Sequence, residues 1–268
     1  MFGILKRRRR RRLRATPLSA SARTIIERRV PYSRCLPAPL RTELEGLVQV
    51  FLAEKRFEGC AGLEISDEMR LTIAAQACVL LLGRETDVYP MLHSILVYPG
   101  AYVSHEPVLE EGGLVSEGPD ERIGESWIQG SVVLSWDDVE SAGADDGVNV
   151  VYHEFAHQLD DEAGGAEGTP QLPESDMYAD WQRVMTSEYE QLVEAADGRR
   201  PTVLDEYGTE SPAEFFAVAT ECFFERSVEM RARHPELYGE LARLYRQDPA
   251  DWAQDLRPVR RRRRHPLR

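Results

Sequence analysis

His153-Glu154-Phe155-Ala156-His157 constrains this chain more than any other stretch. Positions i and i+4 of an α-helix share one face, a turn apart. Histidines so placed can reach a single metal ion, and Glu154 can reach a water held beside it. This His-Glu-x-x-His pattern is the signature of zinc peptidases. It requires a rigid, half-buried helix. Val148, Val150, Val151, Phe155 and Leu159 supply the apolar positions for one running from about Asn149 to Leu159. Asn149 is suited to cap it. The competing reading is two ordinary histidines on a helix, one packed and one solvated.

The rest of the chain must then be scaffold. Its 268 residues and 42% hydrophobic content suffice for one sizeable core. Charge is unevenly spread. Lys6, Arg7 to Arg12 and Arg14 open the chain, and Arg257, Arg260 to Arg264 and Arg268 close it, with no acid in either segment. The body between them carries a net charge of −28. So acidic a body is a poor nucleic-acid binder through its general field. It favours basic partners or its own basic ends. Blocks of like charge are usually solvated, so residues 1–30 and 257–268 read as disordered basic tails flanking one domain, 31–256. The tails could also contact an anionic partner, nucleic acid or lipid. No apolar run of signal-peptide length follows Arg14. The most apolar stretch, Leu71 to Leu82, has only 12 residues and includes Gln76, so it reads as a core helix, not a membrane span. Cys35, Cys60, Cys78 and Cys222 form no Cys-x-x-Cys pair. Cys78 and Cys222 read as packed thiols, and a reduced cytoplasmic location is the default.

Hydrophobic periodicity predicts helices over about Leu40 to Phe57, Ser66 to Leu82, Met177 to Ala196, Ser211 to Phe224 and Pro235 to Tyr245. Ser66 is a candidate cap. Ser94 to Tyr98 and Val132 to Trp136 read as strands, with Ala101 to Val103 as a neighbour of the first. Val132 to Trp136 is either a sheet edge that could pair with an extended peptide or an ordinary core strand. Glu110 to Glu125 is acidic, glycine-rich and loop-like. Helices outnumber strands, which gives an α+β class: a small mixed sheet packed on several helices.

Catalytic zinc usually takes three protein ligands and a water. The extended signature that places a third histidine six residues after the second is excluded, because Asp160 and Ala163 occupy its positions. A glutamate from a later helix is the alternative. Glu214 is the first candidate, a carboxylate beside Phe215 and Phe216 that needs a partner if buried. Ser211-Pro212-Ala213-Glu214 is equally a capping box, with Pro212 at the first helical position. Glu221, two turns on, is the alternative ligand; Glu206 and Glu210 are weaker ones. Asp160, Asp161 and Glu221 are candidates to accept from the outer ring nitrogens of the histidines.

Several segments, in order, resemble one family. They are Ile95 to Pro99, Gly124-Glu125-Ser126-Trp127, Val151 to Asp160 with Gly164-Gly165, and Tyr207 to Val218. The chain between about Pro37 and Trp252 is similar to the Mlc titration factor A family of bacterial zinc peptidases. The resemblance implies a zincin-like fold related to the catalytic domain of anthrax lethal factor. It implies one zinc ion held by His153, His157 and Glu214, with Glu154 as general base and Tyr207 as a tyrosine on the catalytic side. It further implies aminopeptidase activity on peptide substrates. One family member binds and inactivates the glucose repressor Mlc, so an alternative is a regulatory protein that sequesters a transcriptional repressor. The chain departs from the family where a histidine often follows Gly-Leu-Val: here Ser116 follows Gly113-Leu114-Val115.

Overall fold

The computed structural model describes residues 2–84, 86–100, 102–104, 108–109, 115–116, 120–122, 124–125, 130–142, 147–165 and 167–252. Helices α1 (Phe2–Ala15), α2 (Ala20–Arg29), α3 (Tyr32–Cys35) and α4 (Ala38–Glu54) lead into strand β1 (Arg56–Gly59) and helix α5 (Asp67–Val79). Strands β2 (Ser94–Tyr98), β3 (Tyr102–Ser104), β4 (Val108–Leu109), β5 (Val115–Ser116), β6 (Asp120–Arg122), β7 (Gly124–Glu125) and β8 (Ser131–Ser135) follow. The remainder is helical: α6 (Trp136–Ser141), α7 (Val150–Asp161), α8 (Met177–Asp197), a 3-10 turn (Glu206–Thr209), α9 (Pro212–Glu225), α10 (Ser227–Arg233), α11 (Pro235–Tyr245) and α12 (Pro249–Trp252).

The main sheet has the order β1-β2-β8-β7. β1, β2 and β8 are parallel, and β7 is antiparallel to β8, so the sheet is mixed as expected. Ile95 and Val97 of β2 and Val132 and Leu134 of β8 pair in register and are fully buried. β8 lies between β2 and β7, so Val132 to Trp136 is not the open edge one reading gave it. Its unbroken apolar run is what burial on both faces selects. Ser135 ends the strand, and its Oγ accepts from the Asp138 N–H at 3.4 Å to start α6.

Two strand expectations change. β3 pairs antiparallel with β6 in a separate ribbon rather than beside β2. The described residues of the loop-like Glu110 to Glu125 stretch are short strands, β5, β6 and β7. Backbone ladders formed across a few residues need no hydrophobic alternation, which is why periodicity does not reveal them.

The disordered tail expected over residues 1–30 is also overturned. Ser19 caps α2 by accepting from the Ala22 N–H at 3.1 Å. Leu18, Ala22, Ile26 and Val30 are buried in the core. Their spacing of four is a helical stripe hidden by the surrounding arginines. The arginines themselves find acids on the body. Arg10 pairs with Glu54 at 2.5 Å and with Asp87, Arg23 with Glu45 at 2.8 Å, and Arg29 with Glu68 and Glu140. The tail expected over 257–268 lies outside the described residues.

Helix α7 sits at the centre. It packs on α9, with α5, α6, β7 and β8 also in contact. Phe155 is fully buried between Phe51 of α4 and Tyr89, with ring centroids 5.8 and 4.8 Å away. On the other flank Tyr152 packs on Phe224 of α9 at 5.1 Å. The signature helix is therefore clamped on both sides by aromatic rings.

Candidate metal centre

The start of α7 is built by Asn149. Its side-chain oxygen accepts from the Val151 and Tyr152 N–H groups, both at 3.1 Å. The rest of Asn149 is bound by α9: Glu221 accepts from its backbone N–H at 2.5 Å, and Glu225 from its side-chain amide at 2.7 Å. Glu214, Glu221 and Glu225 stand at i, i+7 and i+11, one acidic stripe on an otherwise apolar helix. Glu225 escaped the sequence reading, and that spacing is the signal that could have found it.

At the far end of α7, Asp160 accepts from the backbone N–H groups of Gly168 and Thr169, each at 2.7 Å. Gly168 also accepts from the Trp181 indole at 3.2 Å. A Cβ on Gly168 would meet the Pro212 carbonyl oxygen at 2.3 Å, and its φ is +74°. Only glycine tolerates both conditions. The glycine loop thus ties the end of α7 to the start of α9. Asp160 serves that tie, which corrects its candidacy as a histidine acceptor.

These two ties bring three side chains together. His153 Nε2 lies 2.9 Å from Glu214 Oε2, and His157 Nε2 lies 3.4 Å from the same oxygen. The two Nε2 atoms are 3.2 Å apart. His153, His157 and Glu214 form a group with metal-ligand spacing, each half-buried. Ser211 does cap α9, accepting from the Glu214 N–H at 3.2 Å. The Glu214 carboxylate does not complete a capping box and turns to the histidines instead. Of the capping-box reading, the Ser211 cap is present and the return bond from Glu214 is not; the carboxylate instead stands where a third ligand is expected.

Glu221 does not join the triangle. Its Oε1 lies 2.7 Å from His153 Nδ1. An ionised carboxylate only accepts, so Nδ1 carries a hydrogen toward Glu221, and Nε2 is the ring nitrogen turned to Glu214 and His157. Glu206 and Glu210 are exposed and outside the cluster. Tyr207, on the 3-10 turn, is 53% exposed, with its ring centroid 5.8 Å from that of His153. Ser116 lies in β5, where it pairs with Val108 of β4.

The donor set fits a metal ion. Three ligands of a tetrahedral ion with bonds of about 2.0–2.1 Å stand roughly 3.3–3.4 Å apart. The observed separations of 2.9, 3.2 and 3.4 Å are close to those edges. Two imidazole nitrogens and a carboxylate oxygen meet comfortably only around a positive charge. A proton meets the requirement in part: burial opposes a charged His153, but its hydrogen bonds to Glu214 and Glu221 prevail and raise it to about 10. Burial likewise opposes an ionised Glu214, and the two histidines outweigh it, holding the carboxyl down at about 2.

Glu154 stands beside the triangle, 4% exposed, and its Oε2 is buried without a hydrogen-bond partner among the described residues. Burial pushes its carboxyl up to about 7, against the pull of His153 and His157. Buried polar atoms are rarely left unpaired, and a poised carboxyl in a cleft is a mark of proton-transfer chemistry.

A small mixed sheet, a central helix bearing two histidines and a glutamate from a later helix define a zincin-like metallopeptidase fold. Comparison with known proteins agrees. The family model for glucose-regulated metallo-peptidase M90 matches residues 4–246. An uncharacterized protein of Synechocystis is 41% identical over 87% of this chain and 86% of its own. Mlc titration factor A of Pectobacterium atrosepticum is 35% identical over 80% of this chain and 83% of its own. The Mlc titration factor A of Yersinia pestis is 30% identical over 82% of each. The chain belongs to the M90 family of metallopeptidases, the family of Mlc titration factor A.

Proposed function

We propose that the protein is a zinc-dependent aminopeptidase. His153, His157 and Glu214 would hold the ion, and the observation that carries the reading is their convergence beside the unpartnered Glu154 oxygen. When bound, the ion polarises a peptide carbonyl and acidifies an adjacent water. Glu154 takes the proton of the attacking water and passes it to the leaving amine; a carboxyl raised to about 7 is matched to both halves of that task. Glu221 keeps the Nδ1–H of His153 engaged, which aims Nε2 at the cluster. The Tyr207 hydroxyl donates to the oxyanion of the tetrahedral intermediate, supported by its ring lying beside His153. Glu206 and Glu210, exposed and close to Tyr207 in the chain, would offer carboxylates to the ammonium of a peptide N-terminus.

Aminoacyl-nitroanilides and short peptides test the reading with zinc-loaded protein. Unblocked substrates are cleaved, their N-acetylated forms are not, and Glu154→Ala retains zinc while losing turnover. Equal cleavage of blocked and free substrates defeats the aminopeptidase assignment. Full activity of Glu154→Ala defeats the mechanism.

The name of the relatives, Mlc titration factor A, favours a second reading, capture of an Mlc-type repressor with hydrolysis secondary. Retention of such a repressor by Glu154→Ala, without cleavage, supports it. The four cysteines form no disulfide, and Cys78 and Cys222 are buried, which suits a reducing cytoplasm. No helix among the described residues is long and apolar enough to cross a membrane.

A further inference from the structure

Helix α1 is committed on one side only. Lys6 pairs with Asp87 at 3.5 Å, Arg9 donates to the Ala53 carbonyl at 3.0 Å, Arg10 bridges Glu54 and Asp87, and Leu13 packs on the core. At 100° per residue, the opposite side presents Ile4, Leu5, Arg8, Arg11 and Arg12, with Arg7 at its margin. All six are exposed. Ile4 and Leu5 are 63% and 60% exposed, two bare aliphatic side chains at the head of an arginine face. Among the described residues no acid pairs with Arg7, Arg8, Arg11 or Arg12. Arg7 with Arg11, and Arg8 with Arg12, stand at i, i+4, where like charges repel. Cations also gather along a helix whose first turn holds no acid to offset its dipole. Nothing among the described residues relieves this arrangement.

We propose that this face seats α1 on an anionic lipid surface. The helix lies along the bilayer plane, with Arg8, Arg11 and Arg12 on lipid phosphates and carboxylates. Ile4 and Leu5 enter the boundary between headgroups and acyl chains. Lipid is favoured over nucleic acid by the aliphatic pair. A nucleic-acid strand would satisfy the arginines but leave Ile4 and Leu5 in water, whereas a bilayer takes both. At 14 residues the helix is about 21 Å long, enough to lie on a membrane. The peptidase centre is built from other elements, so this contact positions the enzyme and leaves its chemistry alone.

Co-sedimentation of the full chain with vesicles tests the proposal. The chain binds phosphatidylcholine vesicles containing about 30% phosphatidylserine, ignores pure phosphatidylcholine, and is released by about 0.5 M salt. Replacing Arg8, Arg11 and Arg12 together by Gln lowers partitioning roughly a hundredfold, about fivefold for each cation. Replacing Ile4 and Leu5 by Ser lowers it about tenfold. Because none of these side chains pairs with the body among the described residues, both variants melt at the wild-type temperature. Folded wild-type chain that ignores anionic vesicles overturns the proposal. So does wild-type partitioning of the Ile4 and Leu5 variant, which would make the helix a general polyanion contact. Retention on single-stranded DNA without vesicle binding overturns it in favour of nucleic acid.

Discussion

Replacing Glu221 tests how the centre is held together. Its buried carboxylate makes two hydrogen bonds with separate purposes: one aims His153 and the other anchors the first turn of α7 through the Asn149 N–H. Glu221→Ala leaves both donors buried and unpaired, at about 1–3 kcal/mol each. Adding the small cavity, the unfolding free energy of the metal-free protein falls by about 3–5 kcal/mol. The freed imidazole should also weaken zinc by 10- to 100-fold, or about 1.4–2.8 kcal/mol. Glu221→Gln keeps the shape and one oxygen, but its amide nitrogen must face one of the two donors. It should therefore fall between wild type and Ala in both measurements. Chelator competition reads the zinc affinity, and urea denaturation reads the stability. Wild-type zinc affinity in both variants, alongside lost stability, would show that Glu221 props the helix without orienting the ligand.

Three further outcomes follow from the same geometry. Burial raises Glu154 from its ordinary 4.5 to about 7 in the metal-free fold, so its stabilising share is full below about pH 4.5 and is lost as pH climbs through 7. Glu154→Gln should gain on metal-free wild type across that window, by about 3 kcal/mol at pH 8, and urea melts at pH 5 and pH 8 showing one constant difference would contradict this. Gly168→Ala drives a Cβ against the Pro212 carbonyl at 2.3 Å and strains a φ of +74°; a loss of about 2–4 kcal/mol is expected, and an unshifted thermal melt would refute the close approach. Phe155→Ala empties a fully buried ring site between Phe51 and Tyr89, for a loss of about 3–5 kcal/mol in chemical denaturation.

What could be read from sequence was local. The Asn149 cap, the apolar face of α7, the Ser66 cap of α5 and the strands around Ile95 and Val133 all declare themselves through spacing and end chemistry. What could not be read depends on distance in the chain. Spacing alone left Glu214 divided between cap and ligand, and packing of α9 on α7 gives it both partners. The same packing separates Glu221 from Glu214, sending one behind His153 and the other in front. Asp160 looked like a histidine acceptor because its loop partners, Gly168 and Thr169, carry no side-chain signal. At the N-terminus, arginines masked the stripe of Leu18, Ala22, Ile26 and Val30, and their counter-charges lie far along the chain at Glu54, Asp87 and Glu140.

Anomalous diffraction at the zinc absorption edge, on crystals of the zinc-loaded protein, addresses the metal centre most directly. One strong peak per chain is predicted, about 2.0–2.2 Å from His153 Nε2, His157 Nε2 and a Glu214 carboxylate oxygen. A peak bonded elsewhere, or none at this triangle in zinc-saturated crystals, would contradict the account.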